Sequence, residues 1–375
     1  MNFAFKRDIS NLGLLTSGLL FLAKKNKWAQ SLGAAAIALR MLPTSRYSFY
    51  NKSIVITGGS RGLGLALAEQ FSLKGSLVTI LARDQAELDR AQRQLEKIPK
   101  AQILTIKCDV NQQSEIQAAF KQVVECFDTI DVLINNAGSV TAGPFESMNI
   151  EDFQAQMNLH FFAPLKAIQE ALPIFKSQSS GRIVNISSIG GKIPVPHMVS
   201  YCASKFALSG FSQGLSSELR KDNILVTTVY PGLMRTGSPI QGVFKGDAEK
   251  EFAWFAMSDS MPGLTVSAKY AAQQILNAVQ TGESELVISW PAKLGNLFYA
   301  NLPQAYTSLM GLVNRLLPQD FTDDRKTGAQ VRGWIDRKSW AKPLLGIMGR
   351  SQKKWNEREK YDPNFNLNTS SVTGQ

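Results

Sequence analysis

Tyr201 and Lys205 stand four residues apart in the segment YCASK. On a helix that spacing puts both side chains on one face, with the ammonium able to sit below the phenol. A free tyrosine has a pKa near 10 and is a poor proton carrier at neutral pH. A neighbouring cation stabilises the phenolate by about 1.4 kcal/mol for each pKa unit shifted. Together the two residues can give a proton to, or take one from, a substrate oxygen. The same pattern also occurs as an ordinary exposed helix pair, so the surroundings decide between the readings.

A second segment is built for a different task. TGGSRGLG (Thr57–Gly64) follows the apolar run SIVIT and leads into a helical stretch. A glycine-rich turn between strand and helix lets backbone N–H groups approach a pyrophosphate, whose charge the helix N-terminus favours. Glycines alone often mark only a tight turn. The strand–turn–helix setting and the spacing of Gly58, Gly62 and Gly64 point to a dinucleotide.

With these residues the chain resembles the short-chain dehydrogenase/reductase family, whose glycine pattern is TGxxxGxG. The resemblance implies that Thr57, Gly58, Ser60, Arg61, Gly62, Leu63 and Gly64 line the cofactor. CDV (Cys108–Val110) is similar to the family's adenine-contacting turn, which implies roles for Asp109 and Val110. NNAG (Asn135–Gly138) matches the motif closing the fourth strand and adds Asn136, Ala137 and Gly138. PGLMRT (Pro231–Thr236) is similar to PGxxxT beside the nicotinamide and adds Pro231, Gly232 and Thr236. These motifs cover about half of the 375 residues.

The same resemblance places Ser188, 13 residues ahead of Tyr201, as the hydroxyl that holds a substrate carbonyl. Reduction would then run with hydride from nicotinamide C4, a proton from Tyr201, and Lys205 lowering the Tyr201 pKa while holding the nicotinamide ribose. The family's fourth catalytic residue is usually Asn. Gap-free counting from Phe153 and from Ala171–Pro173 puts His160 in that place, with Asn158 two positions early. An imidazole offers one donor and one acceptor, enough to anchor a relay water, and ordinarily titrates near pH 6.5. Packing beside Phe161 and Phe162 is the other reading of His160. His197, in the loop before Tyr201, reads as a loop residue.

Charge argues for the choice of cofactor. A guanidinium binds the 2′-phosphate of NADP(H), whereas a carboxylate accepts from the ribose hydroxyl of NAD(H). Arg61 in the glycine loop and Arg83 after the second strand favour NADP(H). Asp84 lies 20 residues past Gly64, where a ribose-binding acid would be expected, but the strand end itself is held by Leu81 and Ala82.

The elements that must carry these residues are legible as alternation. SIVIT (53–57), SLVTIL (76–81), QILTIKC (102–108), IDVLINN (130–136), GRIVNIS (181–187), ILVTTVY (224–230) and ELVIS (285–289) are separated by amphipathic stretches such as Leu63–Lys74 and Gln85–Lys97. That spacing predicts an α/β fold: a Rossmann-type, doubly wound parallel sheet with helices on both faces. Three segments follow: an apolar and basic N-terminal extension over 1–48, a catalytic domain over 49–290, and an apolar helical segment with a basic tail over 291–375.

Leu12–Ala23 and Ala29–Leu42 are each too short to span a bilayer, which needs about 20 apolar residues. Separated by Lys24, Lys25 and Lys27, they read either as an interfacial anchor or as a helical pair packed on the enzyme's own surface. The segment Ile240–Gly263 holds Phe244, Phe252, Trp254 and Phe255, more aromatic than a surface loop requires, and 364–375 reads as a disordered polar end. Cys108, Cys126 and Cys202 show neither metal spacing nor an even count, so a reducing compartment without a metal is expected.

The net charge of +11 has no nucleic-acid motif beside it. The sequence therefore predicts a cytoplasmic oxidoreductase, peripheral to a membrane, acting on a lipophilic ketone or alcohol as a homo-oligomer. A non-catalytic dinucleotide sensor is the alternative, and it would be expected to have lost Tyr201 or Lys205.

Overall fold

The structure, a computed structural model, describes residues 3–22, 26–41, 46–261, 263–322, 324–336, 349 and 351–357. Its centre is a seven-stranded sheet of β1 (Ser53–Thr57), β2 (Leu77–Ala82), β3 (Gln102–Lys107), β4 (Val132–Asn135), β5 (Gly181–Ile186), β6 (Ile224–Pro231) and β7 (Glu285–Ile288). In space the order is β7-β6-β5-β4-β1-β2-β3, with every neighbouring pair parallel. The run therefore reverses between β1 and β4, the switch point where a crevice opens at the strands' carboxyl ends.

Strands β1, β4, β5 and β6 are buried along their whole length, which is why their sequences are continuous apolar runs. One face packs under α3 (Gly62–Ser72), α4 (Gln85–Leu95) and, later in the chain, Ala268–Thr281, through Leu65, Phe71, Leu88 and Ile275. The other packs under α5 (Gln113–Phe127) and Ala163–Ser177, through Phe120, Ile168 and Phe175. The polypeptide between β4 and β5 matters most for the site. There α6 (Ile150–Met157), started by an Asn149–Asp152 capping box, runs through one π-helical turn over Asn158–Phe162 into α7 (Ala163–Ser177). His160 lies in that turn.

After β5, α8 (Val199–Glu218) carries Tyr201 and Lys205. Over the crevice stands a small second layer: two-residue strands at Thr141–Ala142, Val243–Phe244 and Lys326–Thr327, then α9 (Ala248–Ser258), which precedes α10 (Ala268–Thr281) in the chain. Phe244, Phe252 and Phe255 form this layer's own core with Val331. The aromatics that looked excessive for a loop are thus a packed lid.

At the N-terminus α1 (Phe3–Leu22) and α2 (Asn26–Met41) pair antiparallel, with Ser10 Oγ bonded to Ala36 O at 2.8 Å and Ser17 Oγ to Ala29 O at 2.6 Å. Leu12, Leu15, Leu19, Phe21 and Trp28 remain exposed, while an Asp8–Arg220 ion pair ties the hairpin to the body. Among the described residues no helix is long and apolar enough to cross a membrane. Lys24 and Lys25, and the segment 364–375, lie outside the described residues.

Candidate active site

The crevice is a cleft of about 1240 Å³, lined at one end by Gly58, Arg83 and Asp109 and at the other by Ser188, Tyr201 and Trp254. Gly58 has φ +64° and Gly62 φ +57°, a left-handed backbone that favours glycine. A Cβ on Gly58 would fall 2.9 Å from Ala137 Cα, and one on Gly64 only 2.1 Å from Gly58 O. The turn thus admits no side chain, and a dinucleotide's diphosphate fits a cradle so shaped. Thr57 Oγ1 accepts from the N–H groups of Asn136 and Ala137 at 3.0 and 3.1 Å, and Asn136 Nδ2 donates back to Thr57 O and Gly58 O. The residues read from TGGSRGLG and NNAG stitch two loops into one floor. Leu63 and Val110 are buried in it, and Asp109 and Gly138 line the cleft.

Two cofactor assignments change in detail. Arg61 pairs with the buried Glu87 at 2.7 Å, and Ser60 Oγ donates to the same carboxylate at 3.1 Å. Arg83 is exposed on the cleft wall and makes no ion pair among the described residues. Asp84 caps α4, accepting from Glu87 N at 3.0 Å, which explains an acid at that position without a ribose. Pro231, Gly232 and Thr236 lie where β6 meets the cleft, with Thr236 Oγ1 held to Ser238 Oγ at 2.9 Å.

The tail reaches this end of the cleft, which nothing in the sequence suggested. Gly62 N–H donates to Trp355 O at 3.0 Å, and Asn356 Nδ2 donates to Ser60 O and Glu87 O at 2.9 and 3.0 Å. Gly237 N–H donates to Glu357 Oε2 at 2.5 Å. Trp355 is buried in the sheet's core, and burial pushes the Glu357 carboxyl up to about 8.

At the other end, Ser188, Tyr201, Lys205 and His160 meet. The Ser188 hydroxyl accepts from Gly190 N–H at 3.1 Å and acts on the Tyr201 phenol to lower its pKa. Lys205 Nζ donates to Ile186 O at 2.9 Å and sits 5.8 Å from the Tyr201 ring centre. Burial, partly offset by Ser188, raises the Tyr201 pKa above its ordinary 10, and burial pushes Lys205 down to about 7. The expected lowering of Tyr201 by Lys205 is not found: desolvation dominates and keeps the phenol protonated and able to donate.

His160 is buried, its ring edge-on to Tyr201 with centres 5.3 Å apart. Ser139 N–H donates to Nε2 at 3.3 Å, so Nδ1 carries the proton and donates to Ser204 Oγ at 2.8 Å, which in turn donates to Tyr201 O at 2.7 Å. Both ring nitrogens are thus engaged by the protein. Burial and then Lys205 lower its pKa well below 6.5, so the expected titration near neutrality gives way to a permanently neutral imidazole. Ser139 and Ser204, its partners, were missed although one follows NNAG directly and the other lies inside YCASK.

The lid closes over this end. His197 Nδ1 meets Glu251 Oε1 at 2.6 Å, and Trp254 Nε1 donates to Glu251 Oε2 at 2.7 Å, joining the loop before Tyr201 to α9. A buried Lys245–Asp152 ion pair at 2.9 Å anchors the lid to α6. Among the described residues no cluster of His, Cys, Asp or Glu is placed to hold a metal.

Residues 52–241 match the family model described as short chain dehydrogenase. The chain is a short-chain dehydrogenase. As such it binds a nicotinamide dinucleotide and is an oxidoreductase acting on CH–OH groups. This short-chain dehydrogenase is 31% identical over 242 residues to dehydrogenase/reductase SDR family protein 7-like of Anopheles gambiae, covering 64% of this chain and 75% of that one. It is 32% identical over 182 residues to 3-dehydrosphinganine reductase of Danio rerio, covering 48% and 55%. Among solved structures it superposes on L-sorbose reductase from Gluconobacter frateurii, complexed with NADPH and L-sorbose, with a TM-score of 0.57 and 25% identity over 65% of this chain and 97% of that one.

Proposed function

We propose that this short-chain dehydrogenase is an NADP(H)-dependent reductase of a lipophilic ketone. The observation that carries the reading is that Ser188 and Tyr201 line one end of the long cleft together, with Lys205 Nζ 5.8 Å from the Tyr201 ring centre, roofed by Met198, Trp254 and Phe255. Such a wall desolvates an apolar chain while two hydroxyls take the carbonyl. The name of the Danio rerio relative, 3-dehydrosphinganine reductase, supports the substrate class. Arg83, exposed at the far end, supports the phosphorylated cofactor.

When bound, the nicotinamide supplies the hydride. Ser188 orients the carbonyl oxygen, Tyr201 donates the phenolic proton to the developing alkoxide, and the buried Lys205 ammonium offsets the charge left on the phenolate. His160 joins Ser139, in the loop after β4, to Ser204 on α8 and so keeps Tyr201 in line. The exposed apolar residues of the N-terminal hairpin support peripheral attachment to a membrane surface, where such substrates reside.

The test is NADPH oxidation by the purified chain across long-chain 3-ketones, with NADH in parallel. Turnover with NADPH and loss of turnover in Tyr201→Phe is the expected result. Turnover of small polar ketones alone, or equal use of NADH, would overturn it.

A further inference from the structure

Asp259, at the C-terminal end of α9, is 5% exposed and lines the catalytic cleft together with Met198, Tyr201, Trp254 and Phe255. Its carboxyl makes no hydrogen bond or ion pair among the described residues. Both residues line the same cleft, and Asp259 adds to the raised pKa of Tyr201. A buried carboxylate without a partner is costly, and proteins keep one chiefly where a ligand completes it. Met198 and Phe255 give this stretch of the cleft apolar walls, and the Trp254 indole N–H is already taken by Glu251.

We propose that Asp259 is a specificity-determining residue that pairs with an ammonium group next to the substrate's carbonyl, so that the preferred ketones are long-chain amino ketones. The proposal rests on the reductase reading above. An amine adjacent to the carbonyl carbon would lie beside Tyr201 once the oxygen is bonded to Ser188 and Tyr201, within reach of the carboxylate. Burial, with a smaller contribution from Glu357, pushes the Asp259 carboxyl up to about 8, as expected of an acid awaiting a cation.

The experiment uses the full chain and two ketones that differ only in an amine beside the carbonyl, together with the two corresponding alcohols. In the wild type kcat/KM should favour the amino ketone by about 30-fold or more, the scale of a lost buried charge contact. Asp259→Asn should abolish that preference while leaving the plain ketone within about threefold. Binding of the amino alcohol and the plain alcohol to the NADP+ complex, read by calorimetry, should show the same discrimination without turnover. Equal binding of the two alcohols by the wild type, or an equal loss for both in Asp259→Asn, would overturn the role of Asp259. Failure to reduce either ketone while the amino alcohol still binds selectively would instead sink the reductase reading alone.

A different observation carries a second inference. The amide of Gly62, in the glycine turn, and that of Gly237, between the cleft-lining Thr236 and Ser238, are already taken by Trp355 O and Glu357 Oε2. A Cβ on Gly62 would fall 2.8 Å from Glu357 Oε1, so the carboxylate lies directly against the turn. We infer that Ser351–Glu357 is an autoinhibitory strap, in which Glu357 stands in for a phosphate and the segment must leave before the dinucleotide binds. Ser351 Oγ on Arg235 O and Arg90 Nε on Asn356 Oδ1 fasten it from both sides.

Titration of the full chain with NADPH should give a Kd at least about tenfold tighter in Glu357→Ala than in the wild type. Tryptophan emission should move to longer wavelength on binding as Trp355 leaves the core, and Trp355→Phe should lose that shift. An unchanged or weaker Kd in Glu357→Ala would overturn the strap, as would a wild-type emission that NADPH leaves unshifted.

Discussion

The two ends of the cleft are built from opposite kinds of contact. At the proton-transfer end, Ser188, Tyr201, Lys205 and His160 are held by contacts that span no more than 44 positions of the chain. At the diphosphate end, the glycine turn is shaped locally, but its free amide is met by residues at the far end of the chain. Asn356 lies 296 positions from the Ser60 carbonyl it contacts. The chemistry is therefore pre-set at one end, while occupancy is regulated at the other, and variants at the two ends should fail differently.

The largest effect belongs to the proton-transfer end. Tyr201→Phe keeps the ring and removes the acid, so kcat should fall by about 10² or more while the Kd for NADPH holds. Near-normal turnover with chemistry limiting would break the contrast, because the proton would then come from elsewhere. At the other end, Arg83→Ala should weaken NADPH by roughly 10- to 100-fold and leave NADH alone, the scale of one charge-assisted contact. Arg61→Ala should do less, because its guanidinium already pairs with Glu87. Titrations of both variants with both cofactors decide it, and a larger loss in Arg61→Ala would reverse the assignment.

What could be read in advance follows the same division. All seven strands were legible, since a sheet buried on both faces requires apolar β-branched runs. The glycines and YCASK were legible because their chemistry depends on spacing within a few residues. Glu87 was not, because Arg61 reaches it across a strand and a turn, 26 residues on. Neither Asp259 nor Glu357 belongs to a motif; each matters only through what the folded chain brings near. The lid's aromatics were noticed, but their division between Phe252 in a core and Trp254 on the cleft depends on packing that no periodicity encodes.

Lys205 provides a pH test of how strained the pre-set end is. Its pKa of about 7 means that the ammonium is lost as pH rises through that value, so kcat/KM should decline above about pH 7 if the charge is needed. In Lys205→Arg, whose guanidinium stays charged, the decline should vanish even where the rate is lower. Stability has the opposite sign. Between about 7 and the ordinary 10.5 the unfolded chain holds the proton that the folded one releases, so stability should rise with pH over that window. Lys205→Met should thus raise the melting temperature more at pH 6 than at pH 10, and an equal gain at both would show that the lysine is not desolvated as placed.

The smallest effect is expected at His160, and it separates a positioning role from a proton relay. The imidazole joins Ser139 to Ser204, which bonds the Tyr201 carbonyl, so His160→Ala removes two neutral hydrogen bonds but leaves the π-helical turn that the backbone forms. A loss of about tenfold in kcat corresponds to roughly 1.4 kcal/mol, the scale of one such bond, and KM should change little. Burial and Lys205 hold the imidazole neutral, so the wild-type profile should carry no His160 limb between pH 5 and 9. Asparagine can replace one of the two bonds but not span both, so His160→Asn should recover part of the lost rate with an unchanged profile. An acidic limb present in the wild type and absent in His160→Asn would show that the imidazole does titrate. The residue would then belong to the proton path, and the contacts to Ser139 and Ser204 would have to open during the cycle.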